Sequence, residues 1–305
     1  VTRLSHEQRR GIMSTFVASF FLGWAPILGK LAYRYGVAPF TLAAFRTLVA
    51  ALLLWLAFAF FWRREVAISW RGLIGCISVG VVNGLGSLLY YTSLSRLDAS
   101  RAALLNALYP LWVVLFLFAS GQPLTRLTVA RLAFSMLGIY FLTRVGPGEL
   151  DWLGVTLMVA SAATYGWYLV LGQWVLADVP SRTATLHILT AMACVVGLAR
   201  VLQAQPVEPI AAAGWSAILA LGLTTAMSRL AMFSALQRVG GVETSLVGLL
   251  ELLVSLVLAF LVLGERLTPV QWAGGGLLVA SMLLMVRDPG MRLAEGNVPL
   301  EWRRE

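Results

Sequence analysis

Residues 40–62 read FTLAAFRTLVAALLLWLAFAFFW, twenty-three positions with a single charge, Arg46. At 1.5 Å per helical residue, such a run crosses the ~30 Å hydrocarbon core of a bilayer. The same pattern recurs along the chain. Apolar runs of similar length fall at 12–31, 72–94, 99–119, 127–144, 152–176, 184–203, 214–236, 243–263 and 270–286. Short polar breaks separate them, among them Arg63-Arg64-Glu65, Gly121-Gln122-Pro123 and the stretch 205–209. The expected fold is an all-α membrane protein with ten transmembrane helices and no loop long enough for a soluble domain.

Composition excludes the alternatives. Of 305 residues 59% are hydrophobic and 12% charged, and the mean hydropathy is +0.83. Soluble domains carry roughly 25% charge, and their surface demands it. The net charge of +9 reads as cytoplasmic loops held inside rather than as a nucleic-acid surface. Cys76 and Cys194 lie singly in apolar runs and read as packing residues, neither a disulfide framework nor a metal site. Residues 12–29 resemble a signal peptide, yet they contain Trp24 and Pro26 and lack a small-residue cleavage site, so a retained first helix is expected.

Lysine and arginine set the orientation. With the N-terminus in the cytoplasm, fourteen of them flank the spans inside and seven outside, so both termini of this multi-pass protein are expected on the cytoplasmic side of the cell's inner (plasma) membrane.

The second half echoes the first. Gly23-Trp24 recurs as Gly166-Trp167, and Gly121-Gln-Pro-Leu-Thr125 as Gly264-Glu-Arg-Leu-Thr268, each 143 residues on. Pro39 precedes Arg46 by seven residues, as Pro180 precedes His187. Each half holds five spans. Two copies of an odd unit joined by a short loop insert with opposite orientations, which gives an inverted repeat. The expected division is 1–145 for the first repeat, 146–290 for the second, and 291–305 for a charged cytoplasmic tail.

Phe45-Arg46, Leu250-Glu251 and Gly264-Glu-Arg-Leu-Thr268 resemble the repeated EamA module of the drug/metabolite transporter superfamily over residues 12–287. The first copy has Gln122-Pro123 where the second has Glu265-Arg266. Leu252 follows Glu251 where the family pattern usually has Pro, while Pro110 keeps that position in the fourth span. Within the superfamily the chain is most similar to aromatic amino-acid exporters. The resemblance implies a ten-helix carrier that exports small metabolites.

Four ionisable groups lie at bilayer depth, where each is costly and marks a candidate site: Arg46, His187, Arg229 and Glu251. Arg46 is about two turns into its span and within snorkelling reach of the interface, so structural and functional readings stand side by side. His187 reads as a helix-packing residue. Arg229 and Glu251 are deeper, and an ion pair between them is expected either to serve substrate or to lock the eighth and ninth spans together.

In the third span Gly80, Asn83, Gly84, Gly86, Ser87, Tyr90 and Tyr91 share one helical face, and Ile77, Val81, Val82, Leu85, Leu88 and Leu89 the other. The polar face either packs closely on a neighbour or lines a cavity. The eighth span groups Thr225, Ser228, Arg229 and Met232. Asn106 precedes the expected kink at Pro110, where a freed carbonyl needs a partner or a wet cavity. Trp24 and Trp167 are repeat-related and lie near mid-helix. The candidate substrate-binding set is therefore Trp24, Asn83, Ser87, Tyr90, Tyr91, Asn106, Trp167, Thr225, Arg229, Met232 and Glu251.

Such a cavity recognises rather than reacts. Aromatics and Met suit an apolar body, while Asn, Arg and Glu suit a polar or zwitterionic head. Aromatic and other neutral amino acids fit, carried by alternating access; drug or cationic-compound efflux and nucleotide-sugar carriage are the alternatives. Enzymatic chemistry is disfavoured: the chain has only His6 and His187, no H-E-x-x-H, and one deep carboxylate. No filter-like loop or charge ring marks a channel. No catalytic residue, metal or cofactor is expected. The expected partners are a small-molecule substrate and the lipid bilayer, with no nucleic acid, and a monomer suffices. Glu251 could carry a proton, although facilitated export needs no coupled ion.

Overall fold

The computed structural model describes residues 6–119, 126–144, 151–204, 206 and 209–286, and the charged tail expected at 291–305 lies outside them. Among the described residues the chain is helical and has no strand. The helices are α1 (His6–Gly23), α2 (Ala25–Arg34), α3 (Pro39–Phe61), α4 (Trp70–Arg96), α5 (Ala99–Asn106), α6 (Tyr109–Ala119), α7 (Arg126–Arg144), α8 (Trp152–Asp178), α9 (Ser181–Leu202), α10 (Ala212–Leu258) and α11 (Pro269–Val286). A 3-10 turn, Arg63–Glu65, follows α3, and a π-helical turn, Ala259–Leu263, ends α10. Among the described residues six helical stretches are long and apolar enough to cross a membrane unaided.

Four expected spans differ in detail. The first divides at Trp24 because Pro26 has no N–H for the Leu22 carbonyl; helical bonding resumes with Leu28 N–H to Trp24 O. The fourth divides into α5 and α6 at residues 107–108, since Pro110 cannot donate to the Asn106 carbonyl. The eighth and ninth form one helical element, α10, with no non-helical residue between them. A straight helix would place Arg229 and Glu251 about 33 Å apart, yet both line the same cavity. The segment therefore folds back, and its arms are 212–235 and 250–258.

The helices present apolar side chains outward, as lipid requires. Leu48, Leu52, Leu56, Phe60 and Phe61 of α3 are exposed, as are Ile77, Val81 and Leu85 of α4. Glycines set the inner crossings, where helices meet through van der Waals packing without a hydrophobic drive. A Cβ on Gly80 would sit 2.6 Å from the Ile188 carbonyl oxygen of α9, and one on Gly222 3.1 Å from the Arg46 carbonyl oxygen of α3. Adding 142 to 80 and 46 gives 222 and 188: the same crossing occurs twice with the halves exchanged. Gly23 meets Val254 and the Glu251 carbonyl, and Gly166 meets Trp112 and the Tyr109 carbonyl, in the same exchanged relation. The helices α3 and α9 pair with each other through Trp55 Nε1 donating to Thr190 Oγ1 (3.1 Å), and α7 with α11 through Ser135 and Ser281 (2.9 Å). The two halves are thus related by a pseudo-twofold.

The direction of α8 makes the repeat inverted. Arg96 at the end of α4 pairs with Asp151 at the start of α8 (2.9 Å), while Gly72 at the start of α4 meets Val179 just past the end of α8. The two helices are antiparallel. Spans one and three of a repeat run the same way, so span one of the second repeat runs opposite to span one of the first.

Motif residues hold the ends. Glu265 accepts from the N–H groups of Ala99 (2.9 Å) and Ser100 (2.8 Å) and from Ser100 Oγ (2.7 Å), capping the first turn of α5 from the other repeat. Gly264, at φ +70°, closes the π-helical turn in the left-handed region. Thr268 and Gln271 exchange hydrogen bonds in a capping box at the start of α11. The corresponding first-copy residues 121–125 lie outside the described residues.

Candidate functional site

A cavity of about 80 Å³ lies at the crossing of α3, α4, α8 and both arms of α10, beside the breaks in the first and fourth spans. Its polar wall begins with Arg46, which lies at the cavity and is only 5% exposed. The guanidinium cannot reach the interface. It donates through Nη1 to Thr225 Oγ1 (3.0 Å) and through Nη2 to Ser87 Oγ (2.5 Å), with its face 4.5 Å from the Tyr91 ring centroid. Snorkelling is thereby excluded, and Arg46 joins the site that sequence reading left without it.

Arg229 sits one helical turn from Thr225 and is 8% exposed. It donates to Tyr168 Oη (3.1 Å) and to Asn83 Oδ1 (3.4 Å), and lies over the rings of Tyr165 and Tyr168 at 5.4 and 5.0 Å. Those rings stack on each other at 5.4 Å. The second guanidinium therefore docks on Asn83 and the first on Ser87, adjacent turns of α4. Residues at i and i+4 have Cβ atoms about 5–6 Å apart, so the two like charges are held at neighbouring turns of α4; at a separation on the order of 6 Å they would repel by about 3 kcal/mol at an effective dielectric near 20. Each charge bridges the repeats, Arg46 through Thr225 and Arg229 through Asn83.

The expected Arg229–Glu251 ion pair does not form. Among the described residues no carboxylate lies within ion-pair distance of Arg46 or Arg229. Tyr168 and Asn83 have taken the guanidinium that the sequence assigned to Glu251. Glu251 lines the same cavity, and its shielded Oε2 has no hydrogen-bond partner; the Nε atoms of Arg46 and Arg229 are likewise unpartnered. A smaller pocket, next to the freed α5 carbonyls, also touches Glu251 together with Tyr90, Asn106, Tyr109 and Ser255. Two guanidiniums and one carboxylate thus line the same cavity without an ion pair between them, among tyrosine side chains.

Of the sequence-predicted set, Asn83, Ser87, Tyr90, Tyr91, Asn106, Thr225, Arg229 and Glu251 come together at this cavity. Three do not. Met232 is buried one layer behind it, where its sulfur accepts from Tyr165 Oη (3.3 Å). Trp24 packs on the core and on Phe20 (6.5 Å), and its neighbours Phe21, Leu22 and Ala25 line the cavity instead. Trp167 stacks edge-on with Phe116 (5.1 Å) and Trp174 (6.1 Å) in an apolar crevice with Val82 and Leu85. Tyr165 and Ser161 of α8 were missed. The repeat signalled Tyr165, since it lies 143 residues after Leu22 and both line the cavity. His187 accepts its packing role, with Nε2 3.0 Å from the Val66 carbonyl. The polar face of α4 serves both readings: Gly80 and Gly84 meet α9, and Asn83, Ser87, Tyr90 and Tyr91 face the cavity.

Two inverted helical repeats that meet at a polar cavity form an architecture of membrane transporters. The profile of the EamA-like transporter family matches residues 9–144 and again residues 152–287, two matches that begin 143 residues apart. The chain belongs to the EamA-like transporter family. Among solved structures, one described only as "Crystal structure of protein" is similar in fold, with a TM-score of 0.67 and 20% identity over 93% of this chain and 98% of the other. No curated protein matches the chain.

Proposed function

We propose that the protein exports small zwitterionic metabolites, amino acids above all, by alternating access of the central cavity. This is the activity of the aromatic amino-acid exporter YddG, which the sequence resembles. The observation that carries the reading is that two guanidiniums and one carboxylate line one cavity with no ion pair among them. Buried charges without partners are costly, and a solute bearing both carboxylate and ammonium lowers that cost at both ends. The cavity, about 80 Å³, is small beside the roughly 300 Å³ and more of ligand-filled pockets, so an amino acid requires the walls to part. Rocking of one repeat against the other supplies that motion.

Cationic-drug efflux is disfavoured by the surplus positive charge. Nucleotide-sugar carriage gains from the second guanidinium but requires a far larger site. Counterflow in proteoliposomes, loaded in turn with each standard amino acid and with cationic dyes, tests the reading; flux with dyes alone refutes it. The arginine bias supports a cytoplasmic location for both termini, and reporter fusions after residues 10 and 295 on opposite sides would overturn that orientation. On the same reading the chain works as a monomer in the inner membrane, and its flux saturates as a carrier's does.

A further inference from the structure

We infer that the preferred cargo is a dicarboxylic amino acid, with one carboxylate on each of Arg46 and Arg229 and the ammonium directed to Glu251. The inference rests on the amino-acid reading above and narrows it.

Charge comes first. The cavity presents two guanidiniums and one carboxylate, so the complementary solute carries two anionic groups and one cationic group. A neutral amino acid satisfies one guanidinium and leaves the other repelled by its neighbour and unneutralised. A dicarboxylate without an amine leaves Glu251 facing a second anion.

Geometry agrees. The two guanidiniums are docked on successive turns of α4, at Ser87 and Asn83, with Arg46 also held by Thr225 of α10, one turn before Arg229. Carboxylates separated by two or three carbons match a spacing of one helical turn. Both guanidiniums retain unused N–H groups, including the buried Nε atoms, so each can add a charge-assisted bond without giving up the ones that hold it. Glu251 lies on the other arm of α10 with Asn106 and Tyr90 around it, and its Oε2 is free to accept. Size also agrees. In a cavity of about 80 Å³, a four- or five-carbon solute displaces the walls less than an indole or phenyl body does. The tyrosines are already engaged: Tyr91 beneath Arg46, and Tyr165 and Tyr168 beneath Arg229. They brace the cations rather than offer open faces to an aromatic solute.

The links are also arranged for coupling to motion. Arg46 holds Thr225 across the repeats and Arg229 holds Asn83. A solute that bridges both guanidiniums draws on both cross-repeat links at once.

The test is counterflow of labelled L-glutamate in proteoliposomes of the full chain, with L-aspartate, L-glutamine, L-phenylalanine and glutarate as competitors. The expected result is that glutamate and aspartate compete about tenfold or more better than glutamine and phenylalanine, because the site leaves charged groups unpaired with the neutral analogues. Glutarate should be weaker than glutamate in the native protein, and Glu251→Gln should remove that difference. Arg46→Lys keeps the charge but loses the fork, and should weaken glutamate about tenfold and narrow its advantage over glutamine. Flux of glutamine or phenylalanine but not glutamate keeps the amino-acid reading and overturns this inference. No flux of any amino acid overturns both. Glutarate equal to glutamate in the native protein overturns the ammonium site at Glu251. The competitor series needs no variant, so a misfolded substitution cannot mask the result.

Discussion

Replacing Arg46 and Arg229 by Gln, singly and together, reads the repulsion that the empty site contains. Each single change removes that side chain's charged hydrogen bonds, from Arg46 to Thr225 and Ser87 or from Arg229 to Tyr168 and Asn83. Each single change also relieves the repulsion between two like charges held at neighbouring turns of α4, worth about 3 kcal/mol for a separation on the order of 6 Å at an effective dielectric near 20. The double change removes both sets of bonds but relieves the repulsion only once. The double variant should therefore be less stable than the sum of the singles predicts, by about 2–3 kcal/mol. Both groups are buried, so added salt should change this coupling little. Equilibrium unfolding of the purified protein in mixed detergent, followed by tryptophan fluorescence, measures all four corners of the cycle. Additivity within about 0.5 kcal/mol would show that the two guanidiniums do not sense each other, and the two-cation cavity would fall with it.

Gly80→Ala should cost about 1–3 kcal/mol by overpacking, because its Cβ meets backbone of α9 that cannot yield; Gly276→Ala, with open space at the new methyl, should instead be neutral or stabilising by up to about 1 kcal/mol, and matched unfolding curves decide. The carboxyl of Asp151 is held below its usual range first by the Gly154 N–H and then by Arg96. Its stabilising effect is full above the unfolded carboxylate pKa near 4 and is lost as pH falls through the lower folded value. Asp151→Asn should accordingly flatten the decline in stability below about pH 4, and an unchanged profile counts against the cap. Single cysteines at Asn83, Ser87 and Thr225, in a background without Cys76 and Cys194, should react with water-soluble thiol reagents and be protected by substrate. Cysteines at Leu85 and Met232 should not, one facing lipid and the other buried behind the wall; equal labelling of Asn83 and Leu85 would mean that α4 is turned differently from the structure.

Three families of contact show why sequence carried the fold so far and the site only in part. The spans were legible because a bilayer forces every backbone polar group to be satisfied within the helix, so length and hydropathy suffice. The inversion was legible from the odd count per repeat and the 143-residue offset, and the exchanged glycine crossings at Gly80 and Gly222 are its physical expression. Pro26 and Pro110 announced their kinks through a missing N–H. The reversal inside α10 falls at the break between the runs 214–236 and 243–263 that the sequence already separates, and the convergence of Arg229 and Glu251 on one cavity agrees with it.

Side-chain partners are another matter. Helical periodicity placed Asn83, Ser87, Tyr90 and Tyr91 on one face of α4, which was enough to point them at the cavity, because a face is a property of one helix. Which atom each charge would meet depends on three helices at once. The sequence offered Glu251 to Arg229 as the nearest opposite charge in chemical terms, whereas the fold brought Tyr168 and Asn83 within reach and kept the carboxylate apart. It also left Arg46 near a span end, where a long stem in isolation would bend toward water; the arrival of Thr225 from the other repeat holds it inside. Trp24 and Trp167 matched in the repeat, yet a one- or two-residue rotation on the helix turned them to the core and to an apolar crevice while Leu22 and Tyr165 took the cavity. The sequence by itself determined the membrane solvent, the repeat and the polar face of α4, since each follows from local periodicity and composition. Only the tertiary structure decided the charge pattern of the site, because that pattern is set by which helices cross, and at which turn.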